Sequence, residues 1–148
     1  MRISSKGRYG LAAMLHMAVY ARSNECITII SISEQLGISK IYLEQVFALL
    51  KRAELVVSIK GAQGGYKLAR PADQINAGDI LRAAETSLFE KTEASVTGDA
   101  AAIEQALDSL VWVPLDAAAA ELLDSITLEQ LASHVKACNS GDNYMFYI

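Results

Sequence analysis

One predicted helix, over about residues 40–53, carries outward side chains of types that contact DNA, namely Lys40, Tyr42, Glu44 and Gln45. A glutamine amide pairs with adenine, and a glutamate carboxylate accepts a hydrogen bond from cytosine, whereas lysine and tyrosine reach phosphates. The solvated face of an ordinary helix carries the same residue types. This helix alone therefore leaves both interpretations open.

Basic side chains recur on the segments that flank this helix. They are Arg2, Lys6, Arg8, Lys51, Arg52, Lys60 and Lys67. Residues 1–70 hold ten Lys and Arg against four Asp and Glu, a net charge of +6, whereas residues 71–148 hold three against thirteen, or −10, which gives −4 overall. Positive charge attracts polyanions locally through counterion release. We therefore expect the first half to bind nucleic acid and the second half to face away from it.

Patterns that mark enzymes and metal sites are absent from the sequence. It has no GxSxG, HExxH or Walker-type segment, and Gly61–Gly65 lacks the spacing of a dinucleotide-binding loop. Cys26 and Cys138 are too few for a disulfide scaffold or a four-ligand zinc site. We expect no catalytic site, no cofactor and no metal. With no leader peptide and no membrane-spanning run, the sequence predicts a cytoplasmic protein without a membrane partner.

Cys26 leaves two interpretations open. It lies in the loop after the first predicted helix, where an accessible thiolate is open to oxidation. A plain loop cysteine has no such role. His16 and His134 have no carboxylate and cysteine neighbours at ligand spacing, so we expect both to be structural.

The first forty residues predict two helices and a short strand. Apolar residues at spacings of three and four predict a first amphipathic helix, with a buried face of Leu11, Met14, Leu15, Ala18 and Val19. Ile27–Ile30 is β-branched and favours a strand. Ser31 with Glu34 has the pattern of a capping box, which predicts a helix over Ile32–Leu36 that stops at Gly37.

The next segment predicts a helix-turn-helix followed by a hairpin. Ser39 caps a third helix, whose inner face carries Leu43, Val46, Phe47 and Leu50. Leu55–Lys60 and Tyr66–Ala69 flank a glycine-rich turn and predict a β-hairpin, which in this position is a wing. Asn76 caps one more helix. The predicted fold is mainly α: a winged helix-turn-helix domain with a small β-hairpin wing and a long C-terminal dimerisation helix.

The second half predicts a polar loop, Thr86–Asp99, and then a long apolar stripe. The stripe comprises Ile103, Leu107, Leu110, Val111, Leu115, Ala118, Leu122 and Ile126. An exposed stripe of this length is too apolar for a monomer, so we expect a homodimer. Pro114 must start a helix there or kink one, because it lacks the amide donor.

The chain ends in a predicted helix and a tail. Thr127 with Gln130 forms a second capping-box pattern, which predicts a helix from Leu128 to about Ala137. The polar Asn139–Asn143 segment predicts a flexible tether. The sequence thus divides into a DNA-binding domain over residues 1–85, a linker loop over 86–100, dimerisation helices over 101–138 and a C-terminal tail over 139–148.

Four segments together resemble the Rrf2-type family of bacterial winged-helix regulators: MRISSKGRYGLAAML, ISKIYLEQVFALLKRAELVVSIKGAQGGYKLARP, INAGDILRAAE and LDSITLEQLA. With the connecting pieces they cover nearly the whole chain. The resemblance implies a homodimer on a palindromic, double-stranded DNA operator. By position, it implies major-groove contacts from Ser39, Lys40, Tyr42, Glu44 and Gln45, a wing with Lys60, Gln63, Gly64 and Tyr66, and phosphate contacts from Ser5, Lys6 and Arg8. The apolar stripe itself predicts a dimer interface with Ile103, Leu107, Leu110, Leu115 and Leu122.

The loop before the long helix separates the branches of this family. Members that bind an iron–sulfur cluster carry three closely spaced cysteines there, whereas Ser87–Ala102 contains none, so we expect no cluster. The C-terminal YMFYI is similar instead to the end of the family's cysteine-metabolism repressors, whose relatives act with cysteine synthase, O-acetylserine (thiol)-lyase. The tail then either binds that enzyme or folds back on the dimer, through Tyr144, Met145, Phe146, Tyr147 and Ile148.

The sequence thus predicts a repressor of cysteine and sulfur metabolism genes that is modulated by cysteine synthase. One alternative is a regulator of another set of genes that responds to redox or nitrosative stress through Cys26. A second alternative is a winged-helix protein-interaction module that does not bind DNA.

Overall fold

The computed structural model describes residues 2–145, with side chains described as far as Gly141. The helices are α1 (Ser5–Tyr20), α2 (Ile29–Leu36), α3 (Lys40–Arg52), α4 (Ala77–Ala84), α5 (Ala101–Leu107), α6 (Val113–Ser125) and α7 (Leu128–Met145). A 3-10 turn spans Ala72–Gln74 and a π-helical turn spans Asp108–Trp112. Strands β1 (Val56–Ile59) and β2 (Gly65–Leu68) form an antiparallel hairpin. The predicted fold class is confirmed.

Helix α1 buries a different face from the one predicted. Ser4 caps it by accepting the Gly7 N–H at 3.2 Å. Of the predicted stripe only Met14 is fully buried, and the rest is half-buried. The inward face instead carries Gly7, Gly10, Ala13 and Met17, because α4 packs closely along it: a Cβ at Gly10 would lie 3.3 Å from the Cβ of Ala84.

Helix α2 begins earlier than the sequence predicted. Thr28, not Ser31, is its N-cap and accepts the Ser31 N–H at 3.1 Å, so Ile29–Leu36 is one helix and the strand at Ile27–Ile30 was wrong. Of the predicted strand, only Ile27 forms a β-bridge: it exchanges backbone hydrogen bonds of 2.9 and 2.8 Å with Tyr66. Gly37, at φ 66°, ends the helix as predicted.

The predicted turn between α2 and α3, the hairpin and the α4 cap are confirmed. Ser39 caps α3 by accepting the Tyr42 N–H at 3.4 Å, and the predicted inner face of α3 is fully buried. In the hairpin, Val56 pairs with Leu68 and Ile59 with Gly65. A reciprocal pair of hydrogen bonds, 2.7 and 3.1 Å, joins Asn76 and Asp79 at the start of α4.

The long C-terminal helix is continuous from α5 to α6 but widens before Pro114. In the π turn the Val113 N–H bonds to the Asp108 carbonyl five residues back. Proline lacks an N–H and crowds the preceding turn of an α-helix, so a wider turn accommodates it within one helix. The helix ends at Ser125, close to the predicted end of the apolar stripe.

Helix α7 packs back on the winged-helix domain. The Thr127–Gln130 capping box is confirmed by bonds of 3.0 and 3.1 Å. Leu128 is fully buried in the core and α7 lies against α1, so its first turns do not extend the dimerisation helix. The helix continues to Met145, so the flexible tether predicted at Asn139–Asn143 was wrong: low helix propensity did not stop an established helix.

Candidate nucleic-acid interface

Helix α3 presents a polar, exposed face with one apolar residue in it. Ile41 is 70% exposed, and Lys40, Glu44 and Gln45 are exposed around it. The Lys40 ammonium lies 3.6 Å from the Glu44 carboxylate. Ser39 is exposed too, with its hydroxyl occupied by the α3 cap. This face has donors, acceptors and a methyl-bearing side chain, the combination that contacts base edges in a major groove.

Tyr42 differs from the other predicted groove residues because it is half-buried. Its ring meets that of Tyr9 edge to face at 5.2 Å, which joins α3 to α1. The Arg8 guanidinium lies 5.8 Å from the Tyr9 ring on the outer side. The aromatic pair therefore fixes the position of α3 relative to the basic N-terminal segment, which carries Lys6 and Arg8.

The basic N-terminal segment is exposed and held at its base by a buried carboxylate. Lys6 and Arg8 are exposed, and Arg8 donates to the Ser5 hydroxyl at 3.1 Å. Glu85, at the end of α4, is only 7% exposed and accepts the Ser4 N–H at 2.8 Å. A negative charge at a helix N-terminus is favourable. Sequence reasoning missed Glu85, and the one local signal was a carboxylate directly after a predicted buried helix.

The wing presents its turn and keeps its base in the core. Lys60 and Gln63 are exposed at the turn. Gly64 is half-buried, and only glycine fits there because a Cβ would collide with the Ile59 carbonyl oxygen. Tyr66 was predicted to contact DNA with the wing. The structure places its ring 4.7 Å from the ring of Phe47, where it ties the hairpin to the core.

The elements that carry the basic N-terminal segment and the wing both contact α3. Helix α1 and strand β1 both pack against α3, so the N-terminal basic segment and the wing are attached to its neighbours. The exposed polar face of α3, the wing turn and the Lys6–Arg8 segment are thus parts of one small domain. Tyr42 and Tyr66 support this surface by packing.

Cys26 lines a cavity of about 410 Å³ between α1, the loop after it and α2. It is half-buried, and His16 and Tyr20 line the same cavity with ring centroids 4.8 Å apart. Burial lowers the pKa of His16, because it disfavours the charged form of the imidazole. Cys138 lies on α7 and is exposed, on an element separate from Cys26.

The predicted dimer face is largely exposed in the single chain. Leu110 is 77% exposed, and Ile103, Leu115 and Leu122 are each more than half exposed. Leu107 is half-buried and so contributes less to this face than predicted. A solvent-exposed run of this kind marks an interaction surface. In the predicted tail, the backbone of Tyr144 and Met145 lies in α7, and Phe146, Tyr147 and Ile148 lie outside the described residues.

Comparison with known proteins agrees with this architecture. The sequence model of the Rrf2 family, described as an iron-dependent transcriptional regulator, matches residues 3–134. The chain belongs to the Rrf2 family. The HTH-type transcriptional regulator CymR of Bacillus subtilis is 40% identical over 149 residues, 100% of both chains. The regulator IscR of Sodalis glossinidius is 37% identical over 134 residues, 90% of this chain and 80% of that one.

Solved structures of Rrf2 regulators have the same fold. The structure of CymR, the global cysteine regulator of B. subtilis, matches with a TM-score of 0.75 and 38% identity, over 90% of this chain and 98% of that chain. The oxidised form of Staphylococcus aureus CymR matches with a TM-score of 0.70 and 37% identity, over 89% of this chain and 96% of that chain. The resemblance seen in the sequence is confirmed at the level of the family.

The loop of this Rrf2 chain does not fit an iron–sulfur cluster. Such clusters are bound by thiolates, and the chain has no cysteine between Cys26 and Cys138. Within the described residues, no group of three or more His, Cys, Asp or Glu side chains is arranged to hold a metal ion. Over the same residues, no helix combines the length and apolar character needed to cross a membrane.

Proposed function

We propose that this Rrf2 chain is a DNA-binding repressor of cysteine and sulfur metabolism genes that binds a palindromic operator as a homodimer. The observation that carries the proposal is the exposed polar face of α3, flanked by the basic N-terminal segment and the wing turn. Base edges specify a site and phosphates position the protein on it. We assign base contacts to Lys40, Glu44 and Gln45, and phosphate contacts to Ser5, Lys6 and Arg8.

The wing completes this assignment. Lys60 is exposed beside the glycine-rich turn, and Gln63 and Gly64 are at its tip. A narrow hairpin of this kind reaches the groove next to the one that α3 enters. Ser39 caps α3, and in our proposal the first turn of the helix faces the DNA.

A homodimer is supported by the exposed apolar face of α5 to α6. A two-fold interface places two copies of α3 on one face of the assembly, which matches a palindrome. We assign the centre of this interface to Ile103, Leu110, Leu115 and Leu122, with Leu107 at its edge.

Assignment to cysteine metabolism is supported by the absence of cysteines from the linker loop and by the whole-length similarity to CymR. The IscR relatives are nearly as similar, so identity alone does not separate the two branches. In our proposal the C-terminal residues, ending in Ile148, bind cysteine synthase, whose substrate competes with the tail for one site.

Operator binding by matched variants tests the proposal. We expect Gln45→Ala to change which bases are tolerated, with a loss of about 1 to 3 kcal/mol at the cognate site. Lys6→Ala weakens all sequences alike and lowers the salt dependence by about one ion. Gln74→Ala, an exposed glutamine on the 3-10 turn, is the control.

The DNA-binding measurements also distinguish a DNA-binding repressor from a protein-interaction module. Genomic footprinting, with and without cysteine synthase, identifies the operator. If the wild-type protein does not shift any DNA at low salt, the chain is a protein-interaction module. If Gln45→Ala weakens all sequences uniformly, the reading element is not α3.

A second candidate function, a response to redox or nitrosative stress, is favoured by the surroundings of Cys26. Cys26 is half-buried and borders a cavity that a small oxidant can enter. We expect peroxide to lower operator affinity of the wild-type protein and not of Cys26→Ser. Cys138→Ser is the matched control and retains the response.

A further inference from the structure

A second cavity, of about 390 Å³, lies between the linker loop and the start of the long helix. Lys91 of the loop lines it on one side, and Glu104 and Asp108 line it from the helix. The rest of the wall is mixed: Ala94, Val96, Gly98 and Ala101 are small or apolar, and Thr92 and Gln105 are polar. The cavity thus combines one positive charge, two negative charges and a small apolar surface.

The loop is held over this cavity by Glu104. Its Oε2 accepts the backbone N–H groups of Ser95 at 2.9 Å and Val96 at 3.1 Å. The π turn begins at Asp108, on the cavity wall, and π turns are frequent at functional sites. The Glu104 carboxylate and the loop backbone are therefore positioned before any ligand arrives.

We propose that this cavity binds a small α-amino acid. Its carboxylate pairs with Lys91, its ammonium group with Glu104 and Asp108, and its short side chain lies against Ala94 and Ala101. The volume is in the range of small-molecule sites. The two carboxylates oppose a simple anion, and a simple amine leaves Lys91 without a partner, so a zwitterion satisfies the charges best.

The same loop also contacts the DNA-binding domain, through a residue outside the cavity wall. The Phe89 ring lies 4.5 Å from the Arg82 guanidinium, which bonds to the Asp124 carboxylate at 2.6 and 3.1 Å. Arg82 is on α4, which packs on α1 and α3. Ligand binding is thereby linked to operator affinity, a consequence that, unlike the site itself, rests on the proposed function.

Trp112, the single tryptophan of the chain, reports on the site. It is four residues after Asp108 in the π turn, and its buried Nε1 has no acceptor among the described residues. We expect L-alanine, L-serine and O-acetyl-L-serine to change its fluorescence with saturation, and calorimetry on the full chain to give the same affinity. N-acetyl-L-alanine and propylamine, which each lack one charge, bind at least ten-fold more weakly.

Matched variants separate a built site from a nonspecific effect. Lys91→Met and Asp108→Asn each weaken amino-acid binding at least ten-fold while circular dichroism stays unchanged. Glu93→Gln, an exposed acid of the same loop that does not line the cavity, leaves the affinity unchanged. The proposal is overturned if none of the amino acids saturates at millimolar concentration, or if both variants bind like the wild type.

Operator binding with and without the amino acid then tests the regulatory link. A shift in operator affinity that Asp108→Asn abolishes supports it, whereas saturable amino-acid binding without any shift overturns the link and leaves the site. If the protein binds no operator at all, the proposed function fails while the calorimetric result still decides the site.

Discussion

Replacing Gly7 with alanine is expected to destabilise this fold, although alanine is the better helix former. A Cβ at Gly7 would lie 2.6 Å from Glu85 Oε2 and 2.8 Å from Ile3 Cγ2. The Glu85 side chain is buried and its Oε2 accepts the Ser4 N–H. The carboxylate therefore has no room to move without breaking that hydrogen bond.

Two opposing effects set the size of the change in the free energy of unfolding. Losing a hydrogen bond to a charged group costs about 1.5 to 3 kcal/mol. Alanine in place of glycine stabilises a helix interior by about 1 kcal/mol. We expect Gly7→Ala to lower the free energy of unfolding by about 0.5 to 2 kcal/mol. Operator affinity falls as well, because Ser4 no longer fixes the start of the segment that carries Lys6 and Arg8.

Urea denaturation at one fixed protein concentration measures this loss, since a dimer's stability depends on concentration. Gly141→Ala is the control: it lies in α7, and no atom of the described residues is within 4 Å of its added Cβ. It should be neutral or stabilising. In Gly7→Ala with Glu85→Ala the two losses are less than additive, because the colliding carboxylate is gone. A Gly7→Ala protein as stable as the wild type would refute the reasoning.

Further predictions concern the dimer, the buried histidine, the tail and iron. Leu110→Glu should raise the dimer dissociation constant measured by sedimentation about one hundred-fold, because each of the two copies loses about 1.5 kcal/mol of apolar burial. An unchanged dissociation constant would show that the interface does not include Leu110. Burial lowers the pKa of His16, so as the pH falls the unfolded chain takes up a proton at this residue before the folded chain does. The free energy of unfolding should therefore fall as the pH drops below about 6.5. His16→Gln should reduce this pH dependence in denaturation curves. Deleting residues 147 and 148 should abolish cysteine synthase binding while dimer and DNA binding persist; equally tight enzyme binding would contradict the tail assignment. Anaerobic reconstitution should leave the protein colourless, and stoichiometric iron and sulfide would overturn the absence of a cluster.

Caps and turns were predictable because they depend on residues three or four positions apart. Ser39, Asn76 and Thr127 each accept the backbone N–H predicted for a cap. The failure at α2 has the same origin: Thr28 and Ser31 are both capping types three residues apart, and local pattern does not choose between them. Pairing of Ile27 with Tyr66, distant in sequence, accompanies the earlier start.

For the candidate interface, the sequence indicated which residue types to consider but was less accurate about which of them are exposed. Tyr42 and Tyr66 are of types that contact DNA, and both are half-buried against aromatic rings of the core domain. Glu85 lies 81 residues from its partner Ser4, so no local window connects them. Sequence reasoning therefore found the groups that face outward and missed those that hold them in place.

The linker loop shows how a family member without the thiolates can keep its loop ordered. Iron–sulfur clusters are held by thiolates, and the linker loop of this chain contains none. In this chain hydrogen bonds to Glu104 hold one end of the loop, and the Phe89 contact with Arg82 holds the other. Each is a weak, reversible interaction that a small polar ligand can strengthen or displace. In the proposed amino-acid site, ligand binding would act on these contacts, and a typical allosteric coupling is about 1 to 3 kcal/mol.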